Sequence, residues 1–459
     1  MTGDKTTRFE QLAALDKKHY LHPSTSIRMH QDQGPSVIFQ EGKGIYLTDL
    51  NGDRYIDGVS SLWNVNVGHG REELAEAAKA QMSKLAYSSS FANQSHETVI
   101  QLAHKVASLA PGDMNVTFFT SGGSESNDTA FKLVRYYWKL KGKPEKTKII
   151  SHERGYHGIT IGATSATGLT NFNNMSTAKA PDFLHAKGTW NTQAELGDRA
   201  QEGYVDSFRG VIEREGPDTV AAIIVEPVQG SGGVVLPPEG FLQALRKLCD
   251  EYGILMIADE VICGFGRSGK WFGVNNWDVI PDLMSVAKGI TSGYMQLGGV
   301  VMREGFRDEL AALSDGLLFH GFTYSGHPAA CAVALRNIEI LESERVLDNV
   351  NEMAKHLQAG LNYLESNHKH VGRVRSLGLM GAFEMFRDRD GLVPFNLSVE
   401  AAQKVVRACL KRKLIIRPIV FQNTQNIAMA PPLIINRQQI EDIIAIVSDA
   451  VAEVEQTFG

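Results

Sequence analysis

From Val116 onward, short runs rich in β-branched and large apolar residues alternate with longer stretches of helical periodicity. The short runs are Val116–Thr120, Thr147–Ser151, Val220–Val225, Ile254–Ala258, Asp282–Val286 and Leu297–Met302. They are nearly continuous in apolar character, as expected of strands covered on both faces by crossover helices. This order predicts an α/β fold with a mostly parallel central sheet. Ligands of such sheets bind beyond the carboxyl ends of the strands, so the chemistry is expected there. After Pro328 the pattern changes. Helical periodicity covers Ala329–Glu342, Asn351–Asn367, Ser398–Arg412 and Arg437–Glu455, and the pieces Gly381–Met385 and Leu414–Arg417 read as short strands. That part is expected to form a smaller α+β lobe. Gly168–Asp198 has weak periodicity and reads as a long surface excursion.

Composition narrows the classes of function. With 459 residues, 43% of them hydrophobic and 21% charged, the chain can bury a large core and is neither disordered nor fibrous. Acidic residues outnumber basic ones, 52 to 46. No cationic field is expected to hold a nucleic-acid backbone or an anionic membrane, so the partners are expected to be small molecules. No apolar leader opens the sequence, and no run approaches the roughly 18 apolar residues needed to span a bilayer. Four dispersed cysteines, without CxxC spacing, read as reduced thiols in a cytoplasmic protein.

Three strand ends carry polar residues. The run Val116–Thr120 leads into Ser121-Gly-Gly-Ser-Glu-Ser126 and then a helical stretch, which would aim backbone N–H groups at an anion such as phosphate. Alone, this turn is equally a flexible connection. Asp259 ends an apolar run, where a desolvated carboxylate needs a cation, although an ordinary Asp binding a loop N–H fits the same position. Lys288 follows Asp282–Val286, and burial there would lower its pKa and free its amine. A lone lysine is more often a surface residue whose stem lies on the protein. Together the three fit pyridoxal 5'-phosphate: the lysine for its aldehyde, the acid for its pyridinium nitrogen and the turn for its phosphate. Tyr156, in Tyr156-His-Gly158, is placed to cover the ring, or else packs in the core.

Two motif matches fail on context. Gly264 to Gly269 satisfies GxGxxG and Gly264 to Lys270 satisfies GxxxxGK, but Trp271 stands where a P-loop needs Ser or Thr, and no helix follows. His152, His157, His320 and His327 fall near strand ends without HExxH or HxH spacing, so no metal is expected. Cys263 reads as an inert core residue.

Ile257-Ala-Asp-Glu-Val-Ile-Cys-Gly-Phe-Gly-Arg267, followed by Ala287-Lys-Gly-Ile-Thr-Ser-Gly-Tyr294, resembles the signature of the class III aminotransferases. The resemblance covers nearly the whole chain and implies a fold-type I, pyridoxal-phosphate-dependent transferase, its small domain built from both chain ends. It implies bounds of 1–62 for the N-terminal part of the small domain, 63–327 for the large domain and 328–459 for the rest. Carried over residue by residue, it makes Lys288 the Schiff-base lysine and proton shuttle, and Asp259 the partner of the pyridine nitrogen. Gly122, Gly123 and Ser124 match the phosphate turn, although the family often has serine at the place of Gly122. Tyr156 and Val261 match the residues on the two ring faces, and His157 and Glu226 complete the cofactor shell. Thr323, in His320-Gly-Phe-Thr-Tyr-Ser-Gly-His-Pro328, resembles a threonine that reaches the neighbouring subunit's phosphate, which implies a homodimer with active sites at the subunit interface.

Within the family the likeness is greatest to amine:pyruvate, or ω-, aminotransferases. Trp63, in Leu62-Trp-Asn-Val-Asn-Val-Gly-His69, resembles a pocket-lining residue, Phe91 one that reaches in from the partner, and Arg417 the arginine that binds the acceptor's carboxylate. Ornithine, acetylornithine and 4-aminobutyrate relatives carry a glutamate that neutralises this arginine; here Ser231 stands in its place, which disfavours those activities. The expected reaction moves an amino group from an amine or ω-amino acid to pyruvate or a similar 2-oxo acid. Another class III activity, taurine:pyruvate or diaminopelargonate-type transamination or an aminomutase, is the alternative.

Overall fold

The protein is described by a computed structural model covering residues 7–175, 178–188 and 200–458. Seven strands form the central sheet: β1 (Val116–Thr120), β2 (Lys148–His152), β3 (Phe183–Ala186), β4 (Val220–Val225), β5 (Leu255–Asp259), β6 (Leu283–Val286) and β7 (Gly298–Met302). Their order across the sheet is β1-β7-β6-β5-β4-β2-β3. Only β7 runs antiparallel to its neighbours; the other adjacent pairs are parallel. The strand β3 lies inside the stretch expected to be an excursion, and pairs in parallel with β2 at the sheet's edge. Only four residues long, with His185 interrupting its apolar pattern, it is too short to announce itself. Residues 176–177 and 189–198 of that stretch lie outside the described residues.

Continuous apolar character has the expected cause. Every residue of β4, Val-Ala-Ala-Ile-Ile-Val, is buried. Ala222 and Ile224 pack with Phe131, Val134 and Trp138 of the helix Gly123–Leu140, whereas Ile223 and Val225 pack with Phe208, Phe241 and Leu245 on the other face. Each such buried side chain contributes about 1.5–3 kcal/mol of transfer free energy, so both crossover layers are pinned to the sheet.

The smaller lobe is built from both chain ends. Strands Phe39–Lys43, Tyr46–Asp49 and Arg54–Asp57 form an antiparallel meander, and Leu414–Ile415 joins it in parallel, Leu414 opposite Ile56. A second antiparallel sheet contains Val371–Leu377, Met380–Asp388, Thr424–Met429 and Arg417–Phe421. Leu414–Arg417 is therefore not one strand: the chain changes sheets at Ile416, and Arg417 opens the second sheet opposite Ala428. Helices Pro328–Ser343, Val346–Asn367, Ala401–Lys411 and Arg437–Glu455 cover the lobe. The second begins five residues earlier and the third three residues later than the periodicity indicates. No helix among the described residues is long and apolar enough to cross a membrane.

Candidate active site

Two of the three polar strand ends, the turn after β1 and Lys288, line one cleft, and the third, Asp259, lies near enough to act on the charge of Lys288. The turn after β1 runs directly into the helix Gly123–Leu140, whose first N–H groups have no acceptor within the helix. Small residues let this turn lie close to its neighbours. A Cβ on Gly123 would stand 2.9 and 3.0 Å from the two methyl groups of Val261, and one on Gly298 of β7 would stand 2.7 Å from Thr120 Oγ1. Gly122 is different: its backbone is extended and a Cβ there meets nothing within 4 Å. The Ser124 hydroxyl accepts the Ile159 N–H at 3.0 Å, so its own proton is free to donate. Ser121, Gly122, Gly123, Lys288, Thr291 and Tyr294 are among the residues that line a cleft of about 470 Å³.

Asp259 is the last residue of β5, is 3% exposed, and lies opposite Ser285 of β6. Its Oδ2 accepts the Asn127 amide at 2.8 Å and faces His157 Nδ1 at 2.9 Å, while Oδ1 receives the Val261 N–H at 3.1 Å. His157 is thus placed against the carboxylate, with its backbone N–H on the Thr167 hydroxyl. Asn127 also donates to the His157 carbonyl at 2.6 Å, fixing acid and imidazole together. Two buried hydrogen-bonding atoms, Asn127 Oδ1 and His157 Nε2, have no partner.

Beyond β6, Lys288 adopts a left-handed backbone conformation, φ 49°, which for a lysine is strained. It is half-buried, and its amine makes no hydrogen bond or ion pair among the described residues. Burial lowers its ammonium pKa to about 8, Asp259 and Glu226 oppose that, and Arg417 adds to it. Glu226, just after β4, accepts the N–H groups of Tyr156 at 2.8 Å and Gly230 at 3.1 Å. Burial pushes its carboxyl up to about 8, with Asp259 reinforcing the rise and those N–H groups and Lys288 opposing it. Glu226 thereby holds the loop that carries Tyr156, whose ring lies 5.0 Å from that of Phe172. Burial, with the nearby Asp259 charge, raises the Tyr156 phenol pKa.

Arg417 enters from the smaller lobe. It is half-buried, burial lowers its pKa and the Tyr156 phenol opposes that, and no carboxylate pairs with it among the described residues. The loop holding Ser231 is closed by reciprocal bonds between Gln229 and Val235, each 3.0 Å. Trp63 is only 3% exposed and packs with Val59, Ile262, Ile419 and Ala428 at the joint between the lobes. Ser60, Ser61 and Trp63 all have positive φ; Asp57 accepts the N–H and hydroxyl of Ser61, and the wholly buried Arg267 guanidinium donates to Ser60 Oγ, Asn66 Oδ1 and the carbonyls of Leu379 and Pro431. The glycine-rich run around Arg267, including Gly266 at φ 93°, therefore serves as a joint between segments distant in sequence. Phe91 and Thr323 are exposed and belong to one neighbourhood: the Phe91 ring lies against Gly321, and the Thr323 carbonyl accepts the Tyr87 hydroxyl at 2.7 Å.

Asn127 and Gly298 escape a reading of residues in sequence. Asn127 had a usable signal, a polar residue on the inner face of an amphipathic helix, one turn from Gly123. Gly298 had none, because its need for a bare Cα comes from a neighbouring strand.

The residues fit pyridoxal phosphate: an anion cradle at a helix N-terminus, an anchored buried carboxylate with capacity left on Oδ1, and a lysine of lowered pKa. Known proteins agree. The family profile described as Aminotransferase class-III matches residues 28–451. The putrescine–pyruvate aminotransferase of Pseudomonas aeruginosa is 38% identical over 97% of this chain and 96% of its own length. A transaminase from the marine bacterium Virgibacillus superposes with a TM-score of 0.95 at 50% identity, covering 98% of this chain and all of its own. A thermostable (S)-enantioselective ω-transaminase from Thermomicrobium roseum superposes at 0.93 with 43% identity, covering 98% of this chain and all of its own. The chain belongs to the class III aminotransferases and is a fold-type I transaminase that depends on pyridoxal phosphate.

Proposed function

We propose that Lys288, Asp259 and the Ser121–Ser124 turn hold pyridoxal phosphate, and that Arg417 receives the acceptor's carboxylate in transfer from an amine or ω-amino acid to pyruvate or a similar 2-oxo acid. The observation that carries this reading is the gathering of the phosphate turn and Lys288 on one cleft, with Asp259 and Arg417, which pairs with no carboxylate among the described residues, near enough to act on the charge of Lys288. When bound, the cofactor supplies an aldehyde that exchanges with amines and a ring that takes up electron density. Asp259, oriented by Asn127 and His157, would be the residue that pairs with the ring nitrogen. Lys288 Nζ, with its pKa near 8, takes and returns a proton near neutral pH. Tyr156, fixed through its N–H by Glu226, and Val261, close against Gly123, would hold the ring between them. An arginine that no glutamate neutralises is free to bind a carboxylate bidentately or to turn away from an apolar amine.

The exposed residues Tyr87, Phe91 and Tyr324 gather around Thr323, which supports a homodimer in which each subunit completes its neighbour's site. Four buried free thiols support the cytoplasm as the protein's place. The pairing of Leu414–Ile415 with Arg54–Asp57 supports bounds of 63–327 for the large domain and 1–62 with 328–459 for the small one.

Arg417→Ala tests the substrate reading. Loss of a carboxylate's charged partner costs about 2–5 kcal/mol, roughly 30- to several-thousandfold in the half-reaction with pyruvate or alanine. The half-reaction with an arylalkylamine should change little. Single-turnover absorbance measures the two separately, and equal losses would show that Arg417 is structural.

A further inference from the structure

A cluster in the N-terminal segment lies outside the residues assigned above to the cofactor and substrate. The helix Arg8–His19 is capped reciprocally by Thr7 and Glu10 but buries no residue, and the helix Ile27–Gln33 buries only His30. These helices thus have no apolar core of their own to set how they pack. Between them lie Asp16, His22 and His30. His30 Nε2 stands 2.6 Å from Asp16 Oδ1, and His22 Nε2 stands 3.0 and 2.9 Å from Oδ1 and Oδ2. The two imidazole centroids are 4.3 Å apart. One donor atom from each of the three residues lies within 4.8 Å of the others. The spacing, six and then eight residues, matches no sequence motif, because the fold of the two helices brings the groups together.

We propose that Asp16, His22 and His30 bind a divalent transition-metal ion of the zinc type, which closes the N-terminal helix pair. Two imidazole nitrogens and one carboxylate oxygen are the donor set that zinc prefers, and one carboxylate leaves the site a single net positive charge. Donors about 2.0–2.1 Å from a tetrahedral ion lie about 3.3 Å apart, so each imidazole needs to move about 0.3–0.7 Å away from the Asp16 carboxylate. His22 sits on the connection between the helices, where a shift of that size disturbs no packed core. A cavity of about 210 Å³ opens beside the two imidazoles, giving an entry path and room for water as fourth ligand. Lys17, whose charge would oppose the ion, is bonded through Nζ to the Asp32 carbonyl at 3.1 Å. Binding requires a bare Nε2 on each ring, so each proton there moves to Nδ1 or is released to solvent.

The test uses the full-length, cofactor-loaded enzyme, stripped with a chelator and dialysed against micromolar zinc. Metal analysis should find one zinc per chain, and cobalt substitution should give the visible absorption of a tetrahedral site. His30 is buried, so the deciding variants are His22→Gln and Asp16→Asn, whose side chains are 26% and 20% exposed. Both should lose the zinc while transamination is unchanged. Lys17 and Lys18 lie between the ligands, so trypsin cleavage there reports opening of the helix pair. Zinc at ten times its Kd should slow that cleavage about tenfold in the wild type and leave it unchanged in His22→Gln. Absence of stoichiometric zinc, or equal zinc in wild type and both variants, overturns the site. Bound zinc without trypsin protection overturns its closing role.

Discussion

Neighbouring glycines of the phosphate turn should respond in opposite ways to an added side chain. At Gly122 the backbone is extended and a Cβ meets no atom within 4 Å, so Gly122→Ser introduces no strain. It adds a hydroxyl donor at the first turn of the helix, where a hydrogen bond to a charged group contributes about 1.5–3 kcal/mol. Fixing the serine rotamer offsets part of that, which leaves cofactor affinity about five- to fiftyfold tighter. At Gly123 a Cβ lies 2.9 and 3.0 Å from both methyl groups of Val261, so rotating the valine relieves one clash at the expense of the other. Gly123→Ala then forces a backbone shift of several tenths of an ångström, at the 1–3 kcal/mol typical of overpacking. Val261 is the residue expected on a ring face, so that energy appears as about five- to a hundredfold weaker cofactor binding. Titrating each apoenzyme with pyridoxal phosphate and following absorbance gives both dissociation constants, with thermal unfolding of the apo forms as a control. Weaker binding by Gly122→Ser, or unchanged binding by Gly123→Ala, would refute the assignment of steric roles in this turn.

Asp259→Asn should keep its cofactor but lose about a thousandfold in turnover, equivalent to about 4 kcal/mol, because an amide leaves the ring nitrogen without a charge partner; turnover near the wild-type value would falsify that role. Asn127→Ala removes the donors to Asp259 and to the His157 carbonyl, so kcat should fall about ten- to a hundredfold with KM little changed. A lowered Tm with unchanged kcat would make Asn127 merely structural. In the apoenzyme, alkylation of Lys288 by formaldehyde and borohydride should rise with pH around a midpoint near 8, since the amine is reactive only when unprotonated. The unfolded chain keeps that proton up to about pH 10.4, so this group makes the native state more stable as pH rises from about 8 to about 10.4. A reactivity midpoint above 10 would contradict the desolvation of Lys288.

Periodicity and residue type determined which elements form and which strand ends carry chemistry. Strands β4, β5 and β6 are legible because burial on both faces demands unbroken apolar runs, and the polar residues that follow them then stand out against that background. The Ser121–Ser124 turn is legible for a related reason, since only small residues let a backbone approach an anion. Whatever depends on distant segments had to wait for the tertiary structure. The strand β3 was hidden because a four-residue edge strand needs a neighbour rather than a pattern of its own. Leu414–Arg417 looked continuous because nothing local marks the point where a chain leaves one sheet for another. Asn127, Gly298 and Arg267 act through groups more than 100 residues away in the chain: Asp259, Thr120 and Ser60, respectively. Asp16, His22 and His30 have no recognisable spacing until two helices fold together. Local sequence reports what a residue needs from its own backbone and from solvent. Hydrogen bonds, clashes and desolvation depend on separation in space, which the fold alone assigns.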